Sequence, residues 1–264
     1  MLIHHSIINF AGRAEALEKI TRYASYRPMF YRTDLKIHSR RVLALVQPLL
    51  PLAQQIFGLS FDACRTQLLA LVHDDPEIIT GDVEMGNKLK MTPAELAALK
   101  TEELNAIDLL AKRFPKRLGD YSYRALLREA AELKTPEARL MKLTDKFDAF
   151  GEALHEIFAG NRRFVTPLIN KYGTITLPTD YYRSYLNNFT TAFPEFAELF
   201  QQDHPLFTKP VTLDYQSIAA RRQSHTPASL NLDTESPHYN WWKKVMLKNE
   251  NAENLSVQKE WAAP

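Results

Sequence analysis

A histidine and three acids occur within five residues at the end of an apolar segment, in the string that runs from Leu71 to Glu77. The adjacent carboxylates of Asp74 and Asp75 oppose the helix dipole if they end a helix, because that end carries partial negative charge. A bound cation would remove the conflict. Glu77 lies four residues after His73 and would face the same site if the helix continues. The string therefore indicates a metal site at the end of a core helix.

Each of these residues also has an ordinary structural explanation. A His-Asp pair is common by chance, and Glu77 without its neighbours would be a solvated acid. Asp75 stands directly before Pro76, a pattern typical of an N-cap at the start of a short helix, and we expect Asp75 to take that role. Other parts of the sequence are therefore needed to decide between a metal site and an ordinary helix end.

Helical patterns dominate the segments that must position this string. A first helix is predicted to begin near Ala11, and a second near 35–38. The second should kink or end at Pro48 and Pro51, because proline removes a backbone donor and crowds the preceding turn. A third helix is predicted from about residue 60 to residue 74.

Two later helices have sharper starts. Thr92-Pro93-Ala94-Glu95 combines a cap residue, a proline and a glutamate at the third position, which is the pattern of a capping box. That helix should run to about Phe114. Thr135-Pro136-Glu137 begins another, which should end near Gly160. Since no stretch shows sustained strand-like alternation, the sequence predicts an all-α fold.

The sequence pattern changes near Pro205: X-Pro dipeptides become more frequent, and apolar residues at helical spacing become few. The sequence predicts a helical domain over 1–204 and an irregular C-terminal arm over 205–264, with one short helix at 215–222. Trp241 and Trp242 are expected to anchor the arm on the domain or on a partner subunit. Stacking on single-stranded nucleic acid is the weaker alternative for these aromatic residues.

The composition is that of a globular protein with a sizeable core, with 45% hydrophobic and 24% charged residues in 264. A net charge of +2 gives no bulk attraction to nucleic acid or to an anionic membrane. The single Cys64 is predicted to be a buried, inert thiol. We expect a cytoplasmic protein, because the N-terminus shows no leader pattern and the most apolar run, 42–53, is shorter than the ~20 residues of a membrane span.

The strings around 38, 71–82 and 141–150 resemble the HD-domain phosphohydrolases and, within them, the YfbR-like 5′-deoxynucleotidases. That family has a histidine on an early helix, a His-Asp pair on a later helix and a single Asp on a further one. His38, the pair His73-Asp74 and Asp145 match this pattern. The likeness extends to Glu77 and to the turn Thr80-Gly81-Asp82, and it covers about residues 10–172. The implied fold is an HD-type helical bundle.

Three features depart from the family pattern. Ile37 stands where these nucleotidases usually carry an acid, two prolines interrupt the second helix, and a long segment follows residue 172. These departures bear on the substrate more than on the metal site.

The resemblance implies one divalent metal ion with the ligands His38, His73, Asp74 and Asp145. Two imidazoles and two carboxylates suit Mn²⁺, Co²⁺, Fe²⁺, Ni²⁺ or Zn²⁺, and Mg²⁺ is less favoured. No histidine lies between Asp75 and Thr144, the interval from which HD enzymes with two or more ions draw extra ligands, so a single ion is predicted. Asp148 and His155 share the predicted helix of Asp145, but we expect neither to bind the ion.

The resemblance also implies roles for residues around the ion. Glu77 is the candidate that orients or deprotonates the attacking water. Asp82 is the candidate that protonates the leaving sugar oxygen or binds a sugar hydroxyl. Arg22 and Lys88 match positions that face the phosphate, which a guanidinium can bind through two parallel hydrogen bonds. A salt bridge at the surface is the alternative for each cation.

The sequence therefore predicts hydrolysis of a small-molecule nucleotide, with removal of the 5′-phosphate of a (deoxy)nucleoside monophosphate as the leading reaction. One alternative is an HD-type (deoxy)nucleoside triphosphate hydrolase, and another is a non-catalytic nucleotide-binding regulatory protein. A diiron oxygenase would need ligands that the sequence lacks. The family resemblance implies a homodimer, and no membrane or nucleic acid partner is expected.

Overall fold

The computed structural model describes residues 10–24, 33–88, 90–158, 161, 186–200, 204 and 237–249. The described helices are α1 (Arg13–Glu18), α2 (Leu35–Val46), α3 (Leu50–Phe57), α4 (Ala63–Val72), α5 (Glu77–Thr80), α6 (Met85–Lys88), α7 (Pro93–Arg113), α8 (Tyr123–Glu132), α9 (Pro136–Phe158), α10 (186–192) and α11 (Pro237–Asn249). The strands β1 (Arg117–Leu118) and β2 (Tyr121–Ser122) form a two-stranded antiparallel ribbon. The prediction of an all-α fold is confirmed.

Capping residues explain where the main helices begin. The side chains of Asp34 and Asp62 accept hydrogen bonds from the backbone N–H groups of Ile37 and Arg65, at the starts of α2 and α4. Thr92 and Glu95 form the predicted capping box at the start of α7. These helices therefore begin where short polar side chains satisfy the otherwise unpaired N–H groups.

Two prolines, Pro48 and Pro51, follow α2, and the chain stays helical through both of them. α2 stops at Val46, a 3-10 turn covers Gln47–Leu49, and α3 begins at Leu50. Pro48 and Pro51 lie in the first turns of these two segments, where the missing N–H has no intrahelical partner to lose. The second helix was predicted to kink or end at these prolines, and α2 ends at Val46, directly before the 3-10 turn that contains Pro48.

The stretch Leu35–Ser60 is long and apolar enough to cross a membrane by length and composition alone. Core helices of soluble proteins pass the same test, and here the side chains of Leu43, Leu45 and Val46 are fully buried. The stretch exceeds the apolar run expected from sequence because the helical path continues through both prolines. Of its most apolar window, 44% is buried inside the fold.

The chain divides into two compact units, and the first contains the described residues up to Arg22 and from Asp34 to Asp145. In this unit α2 packs on α4, α4 on α8, and α7 on α8. The core consists of the apolar faces of these helices, and Cys64 is buried as predicted. α1 begins at Arg13, close to the predicted start near Ala11, and ends at Glu18.

The second unit contains Lys146 and the residues of α9 that follow it, together with 186–200 and α11. Trp242 of α11 is buried, and its Nε1 donates to Asp148 Oδ1 at 2.8 Å. A Cβ atom on Gly151 would lie 2.2 Å from the Trp242 ring, so only glycine allows this approach.

The prediction of an irregular arm misses α11. The proline dipeptides of this segment suggested an irregular chain, whereas Pro237 lies at the first position of a helix, where proline is well tolerated. The short helix predicted at 215–222 lies outside the described residues. The boundary at residue 204 stays a prediction, since only 237–249 are described beyond it.

Candidate metal centre

Four side chains from three helical segments meet in the first unit. His38 lies on α2, His73 and Asp74 directly follow α4, and Asp145 lies on α9. His38 Nε2 is 3.1 Å from Asp145 Oδ1 and 3.3 Å from Asp74 Oδ2. His73 Nε2 is 3.3 Å from Asp74 Oδ1 and 3.9 Å from Asp145 Oδ1. The structure therefore brings together all four residues that the sequence predicted as ligands.

The protonation state of His73 suits a metal ligand. Its Nδ1 lies 3.0 Å from the carbonyl oxygen of Ala70, which can only accept, so Nδ1 carries the proton. Burial lowers the pKa of the imidazole, which favours the neutral ring. The lone pair on Nε2 then faces the carboxylate of Asp74. This buried nitrogen has no hydrogen-bond partner among the described residues, and a cation between nitrogen and carboxylate would satisfy both.

His38 has a different partner at its second nitrogen. Nη1 of Arg22 is 2.7 Å from His38 Nδ1, and a guanidinium can only donate, so Nδ1 accepts in this arrangement. The proton of the neutral ring is then on Nε2, where it points to Asp145. Ligation through Nε2 requires the other tautomer, in which Nδ1 carries the proton and the Arg22 contact is lost.

Arg22 reaches His38 because of a local chain pairing. Thr21 pairs with Asp34 in an isolated β-bridge, and Leu35 N–H donates to the carbonyl oxygen of Ile20 at 3.1 Å. This pairing places the residue after Thr21 beside the first turns of α2. The predicted phosphate contact therefore lies next to a predicted metal ligand.

Asp145 carries a negative charge despite its burial. Burial raises the pKa of its carboxyl group, but the Lys142 ammonium and the two nearby imidazoles outweigh this effect and hold the pKa well below its usual value. Nζ of Lys142 is 2.5 Å from Asp145 Oδ2. Sequence reasoning did not select Lys142. The available signal was its position three residues before Asp145, which places both on one face of α9.

Glu77 and Asp82 lie on either end of the short turn that follows the His-Asp pair. Burial raises the pKa of Glu77 well above its usual value, and the nearby carboxylates of Asp74 and Asp82 add to the effect. Its Oε2 is buried and has no hydrogen-bond partner among the described residues. Burial also raises the pKa of Asp82. Gly81, with a φ of 75°, provides the positive-φ backbone that redirects the chain between them and that glycine adopts readily.

A cavity of about 130 Å³ opens beside the cluster. Glu77, Lys88 and Lys142 line it together with His73 and Asp74. Two ammonium groups and a protonatable acid therefore share the cavity with one side of the predicted metal site. Arg22 and Asp82 are not among its lining residues.

Three residues near the motif have other partners. The prediction that Asp75 caps the next helix is wrong, because Pro76 is the N-cap of α5 and makes no side-chain capping bond. The carboxylate of Asp75 instead accepts from Arg13 and Tyr123.

The two α9 residues that were not expected to bind the ion have partners from α11. Asp148 accepts from Trp242, and His155 Nδ1 lies 3.0 Å from the Tyr239 hydroxyl.

Comparison with known proteins gives one consistent result. Residues 9–179 match the family described as 5′-deoxynucleotidase YfbR-like. The chain is 27% identical over 205 residues to the 5′-deoxynucleotidase YfbR of Shigella flexneri serotype 5b, covering 75% of this chain and 98% of that protein. The values are the same for the 5′-deoxynucleotidase YfbR of Escherichia coli strain K12, with 27% identity over 205 residues, 75% of this chain and 98% of the relative.

Among solved structures, a conserved hypothetical protein from Pyrococcus furiosus is 20% identical, with a TM-score of 0.43 over 60% of this chain and 94% of that one. The family match extends over well more than half of the 264 residues and includes all four residues of the cluster. The chain belongs to the YfbR-like 5′-deoxynucleotidase family and is a nucleotide phosphohydrolase of the HD type.

Proposed function

We propose that the protein removes the 5′-phosphate of (deoxy)nucleoside monophosphates, with one divalent metal ion held by His38, His73, Asp74 and Asp145. The observation that carries the proposal is the buried Nε2 of His73, whose lone pair faces a carboxylate and has no hydrogen-bond partner among the described residues. Without a cation, this arrangement sets an electron pair against a negative charge.

The donor set supports a transition metal. Two imidazole nitrogens and two carboxylates suit Mn²⁺, Co²⁺, Fe²⁺, Ni²⁺ or Zn²⁺ better than Mg²⁺, which prefers oxygen ligands. A divalent ion held there would polarise the phosphoryl group and lower the pKa of a water molecule.

Glu77 is the proposed general base. A carboxylate with an ordinary pKa is a weak base at neutral pH, whereas one whose pKa is raised by burial accepts a proton more readily. Glu77 Oε2, which has no hydrogen-bond partner in the part of the chain that the structure describes, leaves an acceptor for the attacking water. Asp82, whose pKa burial also raises, is proposed to protonate the leaving sugar oxygen or to bind a sugar hydroxyl.

The proposed phosphate contacts are cations at the edges of the cluster. Lys88 and Lys142 line the cavity, and Arg22 lies beside His38. The cavity of about 130 Å³ is smaller than the roughly 300–1,000 Å³ of pockets that enclose small organic ligands. It therefore suits the phosphoryl end of the substrate, with the nucleoside outside it.

One screen tests the proposal. Metal-free protein is assayed with nucleoside mono-, di- and triphosphates in the presence of Mn²⁺, Co²⁺ or Mg²⁺, and the phosphate-containing product is identified. The expected result is ion-dependent release of inorganic phosphate from deoxynucleoside 5′-monophosphates. Release of triphosphate from nucleoside triphosphates would replace the proposed reaction with the alternative one. Undiminished hydrolysis after complete metal removal would contradict the proposed metal site.

A further inference from the structure

A buried ion pair with a tyrosine lies directly after the His-Asp pair. Arg13 Nε and Nη2 donate to the two carboxylate oxygens of Asp75 at 2.7 and 2.6 Å. The hydroxyl of Tyr123 donates to Oδ2 of the same carboxylate at 2.6 Å. Each of the three side chains is at least nine-tenths buried. We refer to Arg13, Asp75 and Tyr123 as the buried triad.

The triad fixes the backbone at the C-terminal end of α4. Arg13 Nη2 also donates to the carbonyl oxygen of Leu71, one of the helix-end carbonyls that lack an intrahelical partner. Asp75 N–H in turn donates to the carbonyl oxygen of Val72 at 3.0 Å. The triad therefore holds both the last turn of α4 and the residue that follows Asp74.

The candidate ligands His73 and Asp74 lie between the last turn of α4 and Asp75, both of which the triad holds. His73 is held by the carbonyl oxygen of Ala70 on one side, and Asp75 is held by the triad on the other. Asp74 lies between them, and within the described part of the chain its carboxylate pairs with the two histidines of the cluster. The position of its carboxylate therefore depends on the backbone that the triad holds.

General physical chemistry argues against stability as the main role of such a pair. Removing two charges from water costs about as much as their mutual attraction returns, and well-packed apolar residues of similar volume often serve stability as well or better. What a bidentate arginine–carboxylate contact adds is a fixed geometry. In this protein the fixed geometry lies one residue from a proposed metal ligand.

We propose that Arg13, Asp75 and Tyr123 are positioning residues for the metal site, and that they act by holding the backbone of the His73-Asp74 pair. This inference rests on the metal site of the proposed function. None of the three side chains contacts the ion or the substrate in this proposal. They set how well the ligands are placed before the ion arrives.

The chain offers a matched pair of variants for the test. Tyr123→Phe removes the hydroxyl that donates to Asp75 at the C-terminal end of α4. Tyr121→Phe removes an equivalent hydroxyl, which donates to the Asp62 carboxylate at 2.8 and 3.0 Å at the N-terminal end of the same helix. Both changes delete one hydroxyl that donates to an aspartate and leave the ring, at opposite ends of α4; Tyr121 is partly exposed, whereas Tyr123 is fully buried.

The measurement is titration of metal-free protein with Co²⁺, followed by calorimetry and by the visible spectrum of the bound ion. We expect Tyr123→Phe to weaken Co²⁺ binding by roughly tenfold or more, the scale at which groups behind metal ligands act, and to change the spectrum. Tyr121→Phe should bind as the wild type does. Asp75→Asn, which keeps the size and loses the charge, should weaken binding further while circular dichroism shows an intact helical fold.

The outcomes separate this inference from the proposed function. Equal Co²⁺ affinity and equal spectra for the wild type and Tyr123→Phe would overturn the positioning role alone. Equal losses in the Tyr121→Phe and Tyr123→Phe proteins would also overturn it, because they would indicate general destabilisation of α4. A wild-type protein that binds no Co²⁺, Mn²⁺ or Zn²⁺ would overturn the metal site and this inference together.

Discussion

Glu77 combines two properties that burial gives to one carboxyl group. Its raised pKa makes it a better proton acceptor near neutral pH, and the same burial makes its charged form costly within the fold. Neither property follows from the residue type, because an exposed glutamate has an ordinary pKa. The two properties lead to separate predictions at the scale of the single residue.

The first prediction concerns turnover. Glu77→Gln should lower kcat by about 10²–10⁴-fold, since glutamine cannot accept the proton of the attacking water. In the wild type, activity should fall as pH decreases through the raised pKa of Glu77, because protonation removes the base. Steady-state rates across pH, with Mn²⁺ affinity measured in parallel, check both statements. Full activity in the variant with metal bound would show that Glu77 is not the base.

The second prediction concerns stability. The folded-state pKa of Glu77 lies above its unfolded value, so the folded state loses stability as pH rises from the unfolded pKa to the folded one. Metal-free Glu77→Gln should therefore be more stable than the wild type at neutral pH, by about 1.4 kcal/mol for each unit of the shift. The difference should vanish in acid, below the ordinary pKa of glutamate. Denaturant unfolding at two pH values measures it, and an unchanged or lower stability at neutral pH would contradict it.

The helix ends show which features can be predicted from residues that are close in sequence. The capping box at Thr92 depends on residues three positions apart, and both it and the extent of α7 were predicted correctly. The role of Asp75 depends on Arg13, which lies 62 residues earlier, and on Tyr123, which lies 48 residues later. Local sequence gives no sign of such partners. A capping role was therefore the reasonable prediction for Asp75, and it was wrong.

The family pattern supplied what local signals could not. His38 and Asp145 are 107 residues apart, and their approach follows from the packing of the helices rather than from either sequence segment. Lys142 and the triad were missed for the same reason, since the pattern names ligands and not their neighbours. α11 was missed because the proline dipeptides after residue 205 were interpreted as signs of an irregular chain, whereas Pro237 begins a helix.

The third prediction belongs to the contact between α9 and α11 within the second unit. Gly151→Ala places a Cβ atom where the Trp242 ring lies, at 2.2 Å, so the ring must move or the helices must separate. We expect a loss of stability of about 1–3 kcal/mol or more, the usual cost of overpacking. Thermal unfolding with tryptophan fluorescence measures the loss. In a Trp242→Ala background the same glycine change should cost much less, and an equal cost in both backgrounds would contradict the proposed clash.

At the scale of the whole molecule, a metal ion would join segments that are far apart in the chain. Residues 38, 73, 74 and 145 come from α2, the end of α4 and α9, so their ligation closes long loops of the polypeptide. The unfolded chain does not hold these side chains together. Binding to the folded state alone therefore stabilises the fold by mass action.

The fourth prediction follows from this linkage. Adding Mn²⁺ to metal-free protein should raise Tm, and the gain in stability should approach about 2.7 kcal/mol at a free ion concentration one hundred times Kd. Asp145→Asn should lose this response, because it removes one of the two proposed carboxylate ligands. Asp148→Asn is the matched control three residues further along α9: it should lower the starting Tm, since Asp148 accepts from Trp242, yet keep the response to Mn²⁺. If both variants respond to Mn²⁺ as the wild type does, Asp145 is not a ligand, and the ion binds elsewhere on the protein.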